Sequence, residues 1–401
     1  MIDAAVAERA FAPRLLEPAG EAAWIAEIRR RGFARFEALG FPTAHDEEWR
    51  ATGLQLVTGT PWAPAGRAPE VAAPAAGVRV VPLAEASPEA RRRFDAVAAG
   101  GRKAFAALNA ATFADALVVE IVPGAVVAEP ITVAFAAPES AEPAAHAPRL
   151  LVVAGERSQA SVVQTFAGGG RYFTNAVTEI VLADGALLDH TLLQRESEEA
   201  CHVHTVAARV GRAASLTSHN VAFGAALSRT DLDVELAAEG AEASLDGLFV
   251  GRGSQHIDTH TFVDHASPRG TSRQLYKGIL DDAARGVFHG KVLVRQDAQK
   301  TDAVQTNKNL LLSRAALVNS TPALEILADD VKCKHGSTTG QLDAAALFYL
   351  QSRGIGAAEA KALLTWAFAA DVAERLRVPA IRTEIERELG LRLAGAPEAR
   401  A

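Results

Sequence analysis

Apolar residues in the first part of the chain follow a helical period. Between Glu21 and Leu39 they recur every three or four positions with charged residues between them, as in an amphipathic helix that buries one face. Residues 60–77 are rich in proline and alanine and predict a surface loop, and a second helical pattern covers 88–108. We therefore predict a mostly helical region with a Pro/Ala-rich loop over residues 1–115, whose first 57 or so residues are helical.

The period changes near residue 116, where short β-branched runs separated by turn residues replace the helical pattern. Four of these runs share a small-small-apolar ending, and they recur every 26 to 29 residues, at Val162, Leu188, Leu216 and Leu245. A strand that recurs at such a period is typical of a solenoid, in which each coil buries its apolar face by stacking on the next. The pattern predicts a mainly β fold, with a parallel β-helix over residues 116–341 between two helical regions.

Helical spacing returns in residues 342–401, which we predict to form a C-terminal helical domain. Its apolar residues exceed what one small bundle can bury, so some of them are expected to contact a partner protein. The candidate partner-binding residues are Leu347, Phe348, Leu364, Trp366 and Phe368.

Charge and cysteine content narrow the class of protein. The 401 residues carry a net charge of −7 with both signs interspersed, and no Lys/Arg run or basic amphipathic helix indicates nucleic acid or a membrane surface. Two cysteines are too few for a disulfide framework and fit a reducing compartment. No basic segment precedes an apolar run at the N-terminus, and no uncharged apolar stretch could span a bilayer. We therefore expect a cytoplasmic protein that binds neither nucleic acid nor a membrane.

Two stretches carry candidate metal ligands. Cys333 and His335 are two positions apart, so in an extended strand both side chains project from one face. A thiolate beside an imidazole suits iron, zinc or copper, but two ligands cannot close a site alone. The alternative metal site is His256, Asp258 and His260, which share a face in the same way and equally fit a hydrogen-bonded polar ladder.

Several distinctive sequence blocks lie near the C-terminal end of the predicted solenoid and just beyond it. They are Tyr276–Leu280, Ala284–Lys291, Gln299–Ala303, Gln305–Ser313, Pro322–Ile326, Ala328–Gly336, Thr339–Asp343 and Leu347–Gly354. In their order and spacing these blocks resemble the SufB/SufD family of iron–sulfur cluster assembly proteins. No cysteine lies in Gln305–Leu312, where a SufB-type member is expected to carry one, so the chain is more similar to the SufD members.

This resemblance implies a right-handed parallel β-helix and a non-enzymatic scaffold subunit. It implies a heterodimer with a SufB-type partner, which shares a transient iron–sulfur cluster with this chain at His335 and Cys333. The single chain is expected to hold no cofactor stably. The C-terminal helices would bind a SufC-type ATPase, and ATP would act through that partner, since the sequence contains no G-x-x-x-x-G-K-[ST] phosphate loop.

Other expectations remain open beside these. The last coils, about Val287 to Ile326, are expected to pair with the equivalent coils of the SufB-type partner, and the isolated chain could form a homodimer. Alternative functions are a stand-alone metalloprotein that uses His256, Asp258 and His260, and a carbohydrate-active β-helix enzyme. The sequence shows no export signal and no pair of acids at a suggestive spacing, which disfavours the carbohydrate enzyme.

Overall fold

Helices lie at both ends of the chain in the computed structural model, which describes residues 22–66, 68–74, 76–100, 103–114, 116–137 and 142–392. The expected helical start, residues 1–21, and the end of the C-terminal region, 393–401, lie outside these ranges. The α-helices are α1 (Ala23–Leu39), α2 (Gln55–Thr58), α3 (Pro88–Arg93), α4 (Ala104–Thr112), α5 (Ala344–Ser352), α6 (Ala357–Ala373) and α7 (Pro379–Arg392). Single 3₁₀ turns cover Glu47–Trp49 and Leu83–Glu85.

Strands fill the middle of the chain. They are β1 (Ala63–Pro64), β2 (Glu70–Ala72), β3 (Val78–Pro82), β4 (Ala116–Ile121), β5 (Ile131–Ala136), β6 (Ala144–His146), β7 (Arg149–Ala154), β8 (Gln159–Gly168), β9 (Tyr172–Leu182), β10 (Leu187–Glu196), β11 (Cys201–Val210), β12 (Ser215–Ala222), β13 (Leu227–Leu236), β14 (Glu242–Gly251), β15 (His256–His265), β16 (Thr271–Leu280), β17 (Arg285–Val294), β18 (Asp302–Leu311), β19 (Leu317–Ile326) and β20 (Lys332–Gly340). The stretch expected to be a loop, 60–77, therefore contains two short strands, which pair with β6 and β5.

From β8 onward the strands alternate between two sheets. The first sheet runs β19-β17-β15-β13-β11-β9-β7-β4-β3 and the second runs β2-β5-β8-β10-β12-β14-β16-β18-β20. From β9 to β18 each strand therefore pairs in parallel with the strands two before and two after it, as in a coil of two strands per turn. This is a parallel β-solenoid of about eight turns with helices at both ends, which confirms the predicted fold class.

The register shows which residues repeat from coil to coil. Leu188 pairs directly with Leu216, as the repeat predicts. Val162 pairs instead with His190, and Leu245 pairs with Ser218, so the repeat in the sequence was aligned two positions off at both ends. The predicted face of each strand was still right, because a shift of two positions keeps a side chain on the same face of the strand.

One corner of the solenoid is built from a column of left-handed residues. Their φ angles lie between 50° and 70°, and they are Arg157, Gly185, Ala213, Gly240, Arg269 and Lys300. The N–H of each donates to a carbonyl one coil further along, from Arg157 to Asp184 through to Lys300 to Asp330, over 2.7 to 3.1 Å. Four of the six residues are not glycine, so this hydrogen-bonded column holds them in a conformation that ordinary side chains disfavour.

Apolar side chains fill the solenoid and also cover both of its outer faces. The interior cluster extends from Val119 near the start to Ala328 in the last coil. The N-terminal helices pack on the first sheet, where Phe105 of α4 meets Phe173 of β9. Helices α6 and α7 pack on the second sheet through a separate cluster that contains Ile385. No helix among the described residues is long and apolar enough to cross a membrane.

Candidate site at the open end of the solenoid

The last coil leaves its edge free. β19 pairs only with β17, and β20 pairs only with β18, within the part of the chain that the structure describes. Burial falls sharply here, since β17 and β18 are mostly buried whereas β20 is almost entirely exposed. The free edge therefore runs from Leu317 to Gly340, further along the chain than the expected 287–326, because β17 and β18 are already paired on both sides.

Cys333 and His335 lie on β20 and face the inside of this end. Cys333 pairs with Ala303, and His335 pairs with Gln305. A Cβ added at Gly290 on the opposite sheet would collide with the Gln305 side chain, so Gln305 points inward. Directly paired residues share a face, and therefore His335 points inward too. Cys333 closes the end of the interior apolar cluster, whereas His335 is exposed.

Three further polar residues, which were not predicted as part of the site, lie on the strands of the same end: Asn307, Ser320 and Ser337. Ser320 donates to Asn307 Oδ1 over 2.8 Å, and its hydroxyl lies 2.7 Å from that of Ser337. Ser337 continues the two-residue spacing of Cys333 and His335, which was the signal that could have revealed it. The open end of the solenoid therefore carries hydroxyl and amide groups in addition to one thiol and one imidazole.

The thiol of Cys333 is protonated at neutral pH in the isolated chain. Burial raises its pKa, and the charge of Asp302 raises it further. A thiol must lose its proton before it binds a metal. Loss of this proton is therefore less favourable at Cys333 than at an exposed cysteine.

On the outer face of β15, hydrogen bonds through Thr52 link His256 and Asp258, and His260 Nε2 lies 3.0 Å from Asp258 Oδ1. Thr52 Oγ1 donates to Asp258 Oδ2 over 2.6 Å and lies 2.9 Å from His256 Nε2. Arg229 also donates to Asp258 Oδ2, over 2.8 Å. Burial alone would raise the pKa of Asp258, but Arg229 and His260 lower it to about 2. Among the described residues, no group of three or more His, Cys, Asp or Glu side chains is arranged to hold a metal ion.

The candidate partner-binding residues differ in exposure between helices α5 and α6. Helix α5 buries none of its residues: Phe348 is 72% exposed, and Leu347 is half-buried. On α6, Leu364 is half-buried and Trp366 and Phe368 pack against the apolar cluster on the second sheet. Lys277 of the solenoid donates to the carbonyl of Phe368, and its ammonium lies 4.7 Å from the ring centre.

Several known proteins are similar in sequence to this chain. The chain is 36% identical to an iron–sulfur cluster assembly SufBD family protein of Synechocystis, over 70% of this chain and 64% of that protein. It is 36% identical to the iron–sulfur cluster assembly protein SufD of Escherichia coli, over 60% of this chain and 57% of SufD. These two matches span less than two thirds of either relative. The chain is also 33% identical to a SufBD family protein of Mycobacterium tuberculosis, over 90% of this chain and 92% of that protein.

Residues 136–368 match the family described as "SUF system FeS cluster assembly, SufBD core domain". That match covers most of the solenoid together with α5 and most of α6, and it includes both Cys333 and His335. The resemblance found in the sequence is therefore confirmed, and the chain belongs to the SufBD family of the SUF system for iron–sulfur cluster assembly.

Proposed function

We propose that this chain is a SufD-type scaffold subunit that has no enzymatic activity of its own. It pairs through the open end of its solenoid with a SufB-type partner and supplies His335 and Cys333 to a nascent iron–sulfur cluster between them. A SufC-type ATPase docks on the C-terminal helices and supplies ATP hydrolysis. The observation that carries the proposal is the free last coil, whose thiol and imidazole face the opening.

The free edge favours pairing with another solenoid. Unpaired N–H and C=O groups along β19 and β20 form a template for strands of a second chain. Exposed apolar residues lie at the two ends of β19: Leu317 is 53% exposed, Ile326 41% and Leu327 55%. A partner that presents a similar open coil would extend both sheets and bury these residues.

The number of cluster ligands at the open end also favours a partner. An iron–sulfur cluster is ordinarily held by about four cysteine thiolates, and this end offers one thiol and one imidazole. The remaining ligands must come from across the interface. A cluster held partly by His335 is bound less firmly than one held by four thiolates, and this suits a scaffold that passes its cluster on.

His335→Ala is expected to lower the iron and acid-labile sulfide bound to the complex co-expressed with SufB-type and SufC-type partners. The fold and the melting temperature should be unchanged, because His335 is exposed and lies outside the interior apolar cluster. Cys333→Ala should lower cluster content as much if the thiol is a ligand, and less if it only assists.

The matched control is His256→Ala, which removes an imidazole from the hydrogen-bonded ladder with Thr52. This variant should lower the melting temperature but retain the cluster. Wild-type cluster content in His335→Ala, together with loss in His256→Ala, would show that the assembly site is on β15 rather than β20.

Phe348→Glu combined with Tyr349→Glu should weaken binding of the SufC-type ATPase by about thirtyfold if one of the two is a buried anchor worth about 2 kcal/mol, and by up to about a thousandfold if both are. Both residues are largely exposed on α5, so the melting temperature of the chain should not change. The measurement is a pull-down and titration with the purified ATPase. Trp366→Ala is the contrasting variant, and it should destabilise the chain because Trp366 packs on the solenoid. Unchanged ATPase binding by the double variant would place the docking surface elsewhere.

A further inference from the structure

A buried carbonyl oxygen without a hydrogen-bond partner lies just inside the open end of the solenoid. It is Oε1 of Gln305 on β18, a residue that is only 1% exposed. No described residue donates a hydrogen bond to this oxygen. Buried carbonyl groups in folded proteins nearly always accept a hydrogen bond, so the side chains next to Gln305 should include its donor.

Gln305 is the middle member of a column of three side chains on the inner face of the second sheet. Gln274 of β16 pairs directly with Gln305, and Gln305 pairs directly with His335 of β20. Directly paired residues share a face, and neighbouring strands lie about 4.8 Å apart. His335 is therefore the neighbour of Gln305 on the side of the open end.

The other arm of the Gln305 amide is held by the preceding coil. Its Nε2 donates to Gln274 Oε1 over 3.3 Å, and the same oxygen accepts from Thr261 Oγ1 over 2.8 Å. A Cβ at Gly290 would lie 2.3 Å from this Nε2, so glycine leaves the space that the amide fills. Because the two arms of a planar amide point in different directions, an Nε2 directed at the preceding coil leaves Oε1 on the side of the last coil.

The imidazole of His335 can supply the missing donor. Its side chain is exposed, so rotation about its side-chain bonds can direct a ring N–H at Gln305 Oε1. A neutral imidazole carries one N–H donor and one lone pair, on different nitrogens. A bond from the N–H to Oε1 would therefore direct the lone pair of the other nitrogen away from Gln305 and towards the opening.

This arrangement suits a histidine that binds a metal. Metal-binding histidines usually donate their other ring N–H to an oxygen acceptor, which fixes both the tautomer and the orientation of the ring. A side-chain amide oxygen is an acceptor of the same kind. An exposed imidazole at the end of the solenoid has no other restraint as close in the strand register as Gln305.

We propose that Gln305 is a positioning residue for His335. Its Oε1 accepts the N–H of one ring nitrogen, and the other nitrogen then presents its lone pair to the cluster. Gln305 itself does not contact the cluster. The proposal rests on the function proposed above, in which His335 is a cluster ligand.

Nuclear magnetic resonance of the full isolated chain, with isotope-labelled histidine, tests the hydrogen bond in the absence of any cluster. The ring N–H of a freely exposed histidine exchanges rapidly with water and gives no signal, whereas a hydrogen-bonded N–H is protected. We expect a ring N–H signal that is lost in His335→Ala, which assigns it, and lost in Gln305→Met, which keeps the length of the side chain. Asn309→Leu is the matched control and should retain the signal, since Asn309 Oδ1 is also buried without a described partner but pairs with Thr339.

A second measurement uses the complex co-expressed with SufB-type and SufC-type partners. Loss of a residue that orients a metal ligand usually lowers metal affinity by about 10–100-fold. The cluster of Gln305→Met should therefore lose iron to a chelator at least about tenfold faster than that of the wild type, and Asn309→Leu should lose it at the wild-type rate. Circular dichroism checks that both variants are folded.

Three results would overturn the proposal. A wild-type chain without a His335 N–H signal would show that water, rather than the ring, occupies Oε1, and this test needs no substitution at Gln305. A folded Gln305→Met variant that keeps the signal would show that the donor has another acceptor. Equal acceleration of iron loss in Gln305→Met and Asn309→Leu would indicate a general structural effect. Wild-type cluster content in His335→Ala would instead overturn the proposed function, and the N–H signal would still decide whether Gln305 orients the ring.

Discussion

Glu179→Ala is expected to destabilise the protein by about 3–5 kcal/mol, the usual cost of removing one partner from a buried ion pair. The Glu179 carboxylate is fully buried and accepts hydrogen bonds from the backbone N–H groups of Asp95, Val97 and Ala98. It also accepts from Arg149, which is itself fully buried, over 2.9 Å. The substitution would leave three backbone donors without their acceptor and the buried Arg149 with Asp95 as its remaining carboxylate partner, and would loosen segment 94–98 from the solenoid.

Urea denaturation of the purified chain measures this loss. The comparison variant is Glu27→Ala, which breaks a surface ion pair with Arg30 whose side chains are 50% and 64% exposed. That change should cost less than about 1 kcal/mol, because water screens exposed pairs. Similar losses in the two variants would contradict the idea that Glu179 anchors the N-terminal region.

Acidification from pH 6.5 to about 4.5 is expected to destabilise the fold through buried histidines. Burial lowers the pKa of His190 to about 4 and that of His265 to about 4, whereas an unfolded histidine titrates near 6.5. The unfolded chain therefore takes up protons first as the pH falls. Each histidine costs up to about 1.4 kcal/mol of unfolding free energy per pH unit within this window.

The pH dependence can be assigned with a double variant. His190→Gln/His265→Gln should flatten the stability curve between pH 6.5 and 4.5, since an amide can still bond to neighbours such as Ser218 and Ser272. His45→Gln changes an exposed histidine and should leave the slope as it is. A double variant as acid-sensitive as the wild type would assign the effect to other groups, either carboxylates or a remaining histidine such as His204, whose pKa burial also lowers.

The sequence predicted the class of fold because strand period and coil period are local signals. Helices α1, α5, α6 and α7 were likewise expected from apolar spacing. The register between coils was not predictable, since small and apolar residues at alternate positions fit several alignments that differ by two. The end of the solenoid was predicted at residue 341, and the last strand ends at Gly340. The unpaired edge lies further along the chain than the stretch 287–326 that was expected to meet a partner, because β17 and β18 are paired with β19 and β20.

The candidate site was predictable only where its residues are close in sequence. The shared face of Cys333 and His335 follows from a spacing of two. The contact of His260 with His289 depends on how neighbouring coils align, and the contact of Thr52 with His256 joins residues about 200 positions apart. The ring centre of Trp49 lies 3.7 Å from the guanidinium carbon of Arg229, and this contact helps to position the same network.

The hydrogen-bonded column at the corner of the solenoid also limits how such a gene can change in length. Its left-handed residues, from Arg157 to Lys300, are 27 to 31 positions apart, and each depends on a carbonyl of the following coil. Loss of a few residues within a coil would misalign one corner and every paired strand beside it. Duplication or deletion of a whole coil would instead join two equivalent corners and preserve the column. Evolutionary changes in the length of this solenoid should therefore occur in steps of one coil.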